Sequence, residues 1–102
     1  MAVKLADHSI TIALAGRTEA KLGRVLKVIH AAGGQAAIFP CNVSQADEVE
    51  KLSAAVVNQL GQPQILINSA GLHGESVPIG EATPGKWIET FSVNAIGPCL
   101  TC

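Results

Sequence analysis

The sequence predicts an α/β fold in which a parallel sheet of about three strands alternates with helices. Short runs of branched aliphatic residues alternate with longer segments whose apolar residues repeat at helical spacing. The resulting order is strand, helix, strand, helix, strand, helix, which is the order that right-handed βαβ units produce. At 102 residues the chain has room for one domain at most, which we expect to cover residues 1–102.

Composition excludes several classes of function. The formal net charge is -1 and no basic patch stands out, so neither a nucleic acid nor an anionic membrane is an expected partner. Apolar runs stay far below the roughly 18 residues that span a bilayer. Three cysteines provide no disulfide framework, so a cytoplasmic setting is expected. The scattered histidines predict no metal site, and the Cys99-x-x-Cys102 pair is more simply explained by helix packing than by redox chemistry.

The first predicted strand covers residues 10–15, and the following helix begins with Thr18 as its N-cap. Gly33 and Gly34 end that helix, because glycine adopts a left-handed backbone at little steric cost. The helix presents one apolar stripe, made of Leu22, Val25, Leu26 and Ile29.

The second strand is predicted over residues 36–41, and Pro40 indicates an edge strand because proline has no N–H to donate. Ser44 followed by Asp47 resembles a capping box at the start of the second helix. That helix ends at residues 61–63, and its apolar residues are Val49, Leu52, Val56 and Leu60.

The third strand is predicted at Ile65–Ile67, where three branched aliphatic residues suggest burial on both faces. Asn68-Ser69-Ala70-Gly71 follows at its carboxyl end, the edge at which open α/β sheets bind ligands. Thr83 and Pro84 predict the start of a last helix. Trp87 and Phe91, four residues apart, are predicted to lie in the core.

Three loops are expected to meet at the carboxyl edge of the sheet: residues 16–18, 42–44 and 68–71. Taken singly, each has a simpler explanation, because Arg17 could be a solvated cation while Asn42 and Gly71 could only shape turns. Taken together, a guanidinium, an amide and a close-approach glycine suit the phosphate or ribose, the base edge and the sugar face of a nucleotide.

The chain resembles the short-chain dehydrogenase/reductase family from about Lys4 to Cys102. The resemblance implies an incomplete Rossmann-like three-layer sandwich. It also implies an oxidoreductase that transfers hydride between nicotinamide and a carbonyl or alcohol. The segments that carry the resemblance are Leu14–Leu22, Gly33–Ala36, Cys41–Ser44, Asn68–Gly71, and Val93–Asn94 followed by Gly97–Pro98.

The same resemblance implies roles for individual residues. Arg17 would pair with the 2′-phosphate and favour NADP, with NAD possible. Asn42 stands where the family usually has Asp at the adenine amino group, and Val43 would belong to the same nucleotide site. Asn94 would be the catalytic asparagine that anchors the proton-relay water. The implied lining of the cofactor channel is Asn68, Ala70 and Gly71.

Other parts that the family uses are missing from this chain. It has no Gly-x-x-x-Gly-x-Gly run for the pyrophosphate and no Tyr at all, and the family's catalytic Ser, Tyr and Lys segment is not represented. Lys4–Ser9 resembles the end of the family's first helix. We therefore expect a fragment that is inactive and marginally stable alone, with a small-molecule substrate only in a complete chain. The alternative is a truncated product or interaction module that pairs through its open sheet edge with another chain, including a copy of itself.

Overall fold

A computed structural model describes residues 1–7, 9–74 and 76–102 and confirms the α/β class. His8 and Glu75 lie outside the described residues, so the structure does not test what the sequence suggests about these two side chains. A 3₁₀ turn covers Ile79–Glu81, and a π-helical segment covers Ser92–Ile96. The helices and strands are α1 (Ala2–Ala6), β1 (Ile12–Gly16), α2 (Glu19–Ala31), β2 (Ala36–Pro40), α3 (Ala46–Leu60), α4 (Pro84–Phe91) and α5 (Gly97–Thr101).

In the part of the chain that is described, the sheet consists of β1 and β2, paired in parallel with Ile12 opposite Ala36. The prediction of a third strand at Ile65–Ile67 is wrong. These residues make no strand ladder, and their side chains are 69%, 56% and 46% exposed. The reason is that a strand needs a neighbour for its N–H and C=O groups, and here no strand lies beside this segment.

The first core cluster joins three elements through Ala6 of α1, Leu14 of β1 and Ile29 of α2. Ile29 is fully buried, and the predicted apolar stripe of α2 packs around it. Gly34 permits this packing, because a Cβ at that position would lie 2.7 Å from Cγ2 of Ile29 and 3.0 Å from Cβ of Ala6. The resemblance of Lys4–Ser9 to the end of a helix agrees with α1, which covers Ala2–Ala6 and contributes Ala6 to the core.

Helix α3 covers the face of the sheet opposite α1 and α2. Ile38 is partly buried and packs against the first cluster, whereas the next residue, Phe39, is buried and points to the opposite face. Helix α3 packs against β2 on that side, with Val49 and Val56 buried. The predicted capping box is wrong, because α3 begins after Gln45 and the Ser44 hydroxyl donates to Asn42 instead.

Helices α4 and α5 form one continuous rod through the π segment between them. The predicted start of the last helix is confirmed, because Thr83 is the N-cap of α4 and Pro84 is its first residue. Pro98 does not end the rod, because it lies in the first turn of α5, where a missing N–H costs little. The prediction that Trp87 and Phe91 are core residues is wrong, since both are largely exposed along a rod that packs on the domain mainly at its far end.

The molecule is elongated as a consequence. Its radius of gyration is 15.5 Å and its extents are 50 × 25 × 21 Å, whereas a compact domain of this length has a radius of gyration of about 13 Å. Within residues 1–7, 9–74 and 76–102, no helix is both long enough and apolar enough to cross a membrane.

Candidate nucleotide-binding site

The first and second loops of the predicted site meet where β1 and β2 end. The backbone N–H of Cys41 donates to the carbonyl oxygen of Gly16 at 2.8 Å, which continues the pairing one step beyond the sheet. Arg17 therefore leaves the sheet beside the loop that contains Asn42. The Arg17 side chain is exposed and forms no ion pair or hydrogen bond with any residue that the structure describes. Its guanidinium is available to an anion.

The second loop is shaped by the side chain of Asn42. Its Oδ1 accepts hydrogen bonds from the Ser44 N–H at 3.1 Å and from the Ser44 hydroxyl at 2.7 Å, which forms an Asx turn. The Asn42 N–H in turn donates to Oε1 of Glu48 at 3.2 Å. The side-chain Nδ2 of Asn42 and the backbone N–H of Val43 have no partner among the described residues. The loop therefore offers two donors, while the carbonyl oxygen is already occupied.

The second loop is held against α5 by a close contact. A Cβ placed on Gly97 would lie 2.9 Å from Cγ2 of Val43, so this glycine lets the helix approach the loop. Gly97 is itself buried. The position of the Val43 N–H therefore depends on the helix that follows Asn94.

The third loop is attached to the same rod of helices. The side-chain Nδ2 of Asn94 donates to the carbonyl oxygen of Leu72 at 2.8 Å, and its Oδ1 accepts from the Leu72 N–H at 2.7 Å. The Thr101 hydroxyl donates to Oδ1 of Asn68 at 2.6 Å. Asn94 thus lies beside Gly71, where a Cβ would stand 3.5 Å from its Oδ1.

The structure therefore brings the predicted residues together in two groups. Arg17, Asn42 and Val43 share one end of the sheet, and α5 connects that end to the group formed by the third loop and Asn94. The third loop itself is not hydrogen-bonded to Arg17 in the described chain. Ala70 lies exposed on this third loop.

Three residues support the site through contacts that were not predicted: Ser44, Leu72 and Thr101. The Asn-x-Ser spacing is a local signal for the Asx turn and could have identified Ser44. Leu72 and Thr101 have no such signal, because their partners lie 22 and 33 positions away along the chain.

Cys41 lies buried at the junction of the first two loops. Burial raises the pKa of its thiol, and the nearby Glu48 carboxylate raises that pKa further. The protonated thiol is a poor nucleophile and a poor metal ligand. Among the residues described, no group of three or more His, Cys, Asp and Glu side chains is placed to hold a metal ion.

A second feature lies beside Asn94, on the exposed side of α4. It is an apolar cavity of about 460 Å³ that opens between α4 and the loop after Gly74, with Trp87 and Phe91 on its wall. The surface next to Asn94 is therefore mainly apolar, with Lys86 and Thr90 as polar residues on its lining.

The two free donors of the second loop, together with the exposed Gly71, suit one end of a dinucleotide. Adenine ring nitrogens are acceptors, which suit the two free donors of the second loop, and a 2′-phosphate suits the exposed guanidinium. The sequence has no Gly-x-x-x-Gly-x-Gly run, which is the motif that would hold the pyrophosphate at a helix N-terminus.

Comparison with known proteins agrees with the family resemblance that the sequence motifs indicated. A family model described as short chain dehydrogenase matches residues 1–102. The 3beta-hydroxysteroid dehydrogenase of Mediterraneibacter gnavus is 28% identical over 102 residues, which are 100% of this chain and 37% of that protein.

Two solved structures superpose on nearly the whole chain. One is a 3-ketoacyl-ACP reductase from Sinorhizobium meliloti 1021, with a TM-score of 0.92 and 33% identity, covering 98% of this chain and 39% of that one. The other is a metagenomic short-chain oxidoreductase in complex with NADP, with a TM-score of 0.92 and 30% identity, covering 98% and 45%. The chain thus spans less than half the length of each of these relatives.

Proposed function

This chain belongs to the short-chain dehydrogenase family, and from that premise we propose that it binds the adenosine end of NADP in preference to NAD. The observation that supports the proposal is the hydrogen bond from the Cys41 N–H to the Gly16 carbonyl oxygen, because it brings the residue after Gly16, Arg17, to the same end of the sheet as the second loop. Arg17 pairs with the 2′-phosphate. The Val43 N–H and Nδ2 of Asn42 donate to the adenine ring, which replaces the contact with the adenine amino group that the resemblance implies for position 42.

The third loop holds the part of the cofactor nearer to the nicotinamide. Gly71 allows close approach of the sugar, and Asn68 and Ala70 line the same channel. Asn94 fixes the backbone of Leu72, and its remaining Nδ2 hydrogen is available to a water molecule that relays protons. A bound cofactor would supply hydride exchange with a carbonyl or alcohol carbon, as in an oxidoreductase of this family. Residues 1–102 form part of that NAD(P)-binding domain and are inactive alone, because no Tyr is present to move the proton.

Isothermal titration with adenosine nucleotides tests the proposal directly. We expect 2′,5′-ADP to bind about 10- to 100-fold more tightly than 5′-AMP, since a charge-assisted hydrogen bond contributes about 1.5–3 kcal/mol. Arg17→Ala should abolish the difference, and Arg17→Lys should retain part of it. Arg24→Ala is the matched control, because Arg24 is an exposed residue of α2 away from the loops. Equal binding of the two nucleotides by the native chain would refute the NADP preference.

A second candidate function is that of an interaction module, favoured by the exposure of Ile65–Ile67. We propose that β1, whose second edge is unpaired in the described chain, pairs there with another polypeptide. Sedimentation velocity over a tenfold range of concentration tests the simplest form of this function, which is self-association. A monomer throughout that range would leave only pairing with a different chain.

A further inference from the structure

The side-chain amide of Asn42 has a fixed orientation in the second loop. One atom of that amide lies 3.1 Å from the backbone nitrogen of Ser44 and 2.7 Å from the Ser44 hydroxyl oxygen. A backbone N–H can only donate a hydrogen bond, so the atom that faces it must be the carbonyl oxygen Oδ1 and not the amide nitrogen. Nδ2 therefore occupies the other branch of the amide, and the Asx turn holds it there.

Oδ1 of Asn42 has no capacity left for a ligand, because an amide oxygen has two lone pairs. The Ser44 N–H uses one lone pair, and the Ser44 hydroxyl uses the other, since Oδ1 has no hydrogen to donate in return. The backbone carbonyl oxygen of Asn42 already accepts from the Gln45 N–H at 3.1 Å. Residue 42 therefore meets a ligand as a hydrogen-bond donor, through Nδ2.

Val43 adds a second donor at the next position. Its backbone N–H and Nδ2 of Asn42 have no partner among the residues that the structure describes. Val43 is held in place by α5, where a Cβ on Gly97 would lie 2.9 Å from Cγ2 of Val43. The second loop thus presents two donors at consecutive residues, and both residues are positioned by contacts within the chain.

The carboxylate of Glu48 is a further acceptor beside this loop. Its Oε1 accepts from the backbone N–H of Asn42 at 3.2 Å, and the side chain is half-buried. A charge-assisted hydrogen bond of this kind fixes the start of the loop. Glu48 therefore acts on the shape of the loop, and the experiment below includes a variant that removes its charge.

Purine bases differ in what they present to the two donors of the loop. Adenine carries an amino group at position 6, which is a donor, beside the acceptor N7. A 6-oxopurine such as hypoxanthine carries a carbonyl oxygen at that position, so O6 and N7 are neighbouring acceptors, as they are in guanine. An adenine amino group that faces Nδ2 gives up a hydrogen bond to water and gains none in the site. A 6-oxopurine has an acceptor for each donor.

We propose that the second loop binds a nucleotide whose purine carries a carbonyl oxygen at position 6, hypoxanthine in the simplest case, at least as tightly as the adenine nucleotide. This proposal rests on the proposed function and specifies the class of base that the same site takes. Arg17 pairs with the 2′-phosphate in either case, because both nucleotides carry that group. The specificity arises at position 42, where an Asp would offer its second oxygen to the adenine amino group and Asn offers a donor instead.

Isothermal titration with 2′,5′-ADP and with inosine 2′,5′-bisphosphate tests the proposal. We expect the native chain to bind the inosine compound at least as tightly as 2′,5′-ADP. Asn42→Asp keeps the oxygen that Ser44 requires and replaces the donor Nδ2 by an acceptor, so it should shift the ratio of the two affinities toward adenine by about 10- to 100-fold. The added negative charge repels the phosphates of both compounds equally, so the ratio reports on the base alone. Asn58→Asp makes the same change on the exposed side of α3 and should leave the ratio unchanged.

The outcomes distinguish recognition of the base from recognition of the 2′-phosphate. A preference of the native chain for 2′,5′-ADP over the inosine compound by more than about threefold would overturn the proposal. Loss of that preference in Glu48→Gln would then identify the Glu48 carboxylate as the acceptor of the amino group. An unchanged ratio in Asn42→Asp would also overturn the proposal, because the base would not contact residue 42. In each of these cases an Arg17-dependent preference for 2′,5′-ADP over 5′-AMP would leave the proposed function intact, whereas absence of binding of both bisphosphates would overturn the two together.

Discussion

The side-chain amide of Asn94 forms both of its hydrogen bonds with the backbone of one residue, Leu72. Nδ2 donates to the carbonyl oxygen at 2.8 Å and Oδ1 accepts from the N–H at 2.7 Å. One amide thus satisfies the donor and the acceptor of a loop residue that belongs to no helix or strand. The π-helical segment places Asn94 at this point, and π segments often occur at functional positions.

The first prediction concerns this pair of hydrogen bonds. Asn94→Ala should increase amide exchange at Leu72 and lower the free energy of unfolding by about 1–3 kcal/mol, because it removes two hydrogen bonds that contribute about 0.5–1.5 kcal/mol each. Asn94→Asp keeps the acceptor and should retain part of the protection. Asn58→Ala is the control, since Asn58 is exposed on α3 and forms no side-chain hydrogen bond with the described chain. Unchanged exchange at Leu72 in Asn94→Ala would contradict the arrangement.

A second prediction concerns the contact between α5 and the second loop. Gly97→Ala places a Cβ 2.9 Å from Cγ2 of Val43 and should lower the free energy of unfolding by about 1–3 kcal/mol. Shortening the partner should relieve the clash, so Gly97→Ala with Val43→Ala should show a favourable coupling energy in urea denaturation. Gly85→Ala in α4 has open space around it and is the control. Additive effects of the two substitutions would show that the contact is not the cause.

The third prediction contrasts two isoleucines that the sequence alone treats alike. Ile29→Ala should cost about 2–5 kcal/mol of unfolding free energy, because Ile29 is fully buried between α1 and β1. Ile65→Ala should change stability by less than about 0.5 kcal/mol, because Ile65 is largely exposed. Chemical denaturation of both variants measures the difference. A large loss in Ile65→Ala would mean that the third strand forms in the isolated chain after all.

A fourth prediction follows from the raised pKa of Cys41. Its pKa is higher in the folded chain than in the unfolded chain, so the folded state holds the proton longer. The resulting contribution to stability is complete below the unfolded pKa and is lost as the pH rises through the folded pKa. Unfolding free energy should therefore fall more steeply at alkaline pH in the native chain than in Cys41→Val.

The reactivity of the three thiols provides an independent check on Cys41. At neutral pH a disulfide reagent should modify the exposed Cys99 and Cys102 first. It should modify the buried Cys41 only at the rate at which local unfolding exposes its thiol. Mass spectrometry of a time course identifies the order. Modification of Cys41 at the rate of the exposed pair would contradict its burial.

Helices were predicted better than strands, and the reason is physical. The stripe that ends at Ile29 is a property of consecutive residues, so it identifies α2 without knowledge of the rest of the fold. The same holds for Gly33, which adopts a positive φ of 84° at the end of that helix. Ile65–Ile67 have equally strong strand character, yet no strand forms there because the neighbour that would pair with them is not present in the described chain.

The site residues show the same difference, because their positions follow from local sequence whereas the contacts that hold them depend on distant parts of the chain. The position of Arg17 follows from the end of β1, and the resemblance of the short motifs indicated the second and third loops. The contacts that hold those loops could not be read from the sequence. Val43 against Gly97, and Asn68 against Thr101, join residues far apart along the chain, and the side-chain types involved have no spacing rule that signals the contact.

The register of the two-stranded sheet also determines the order in which this molecule can form. Each residue of β1 pairs with a residue 24 positions later, and α2 is the only helix between them. In the part of the chain that the structure describes, the strand pairing therefore lies within the first 40 residues and requires a loop closure of moderate length. During synthesis this unit leaves the ribosome before α4 and α5 exist, so it can reach its native pairing first. The later helices then dock onto a surface that is already in place.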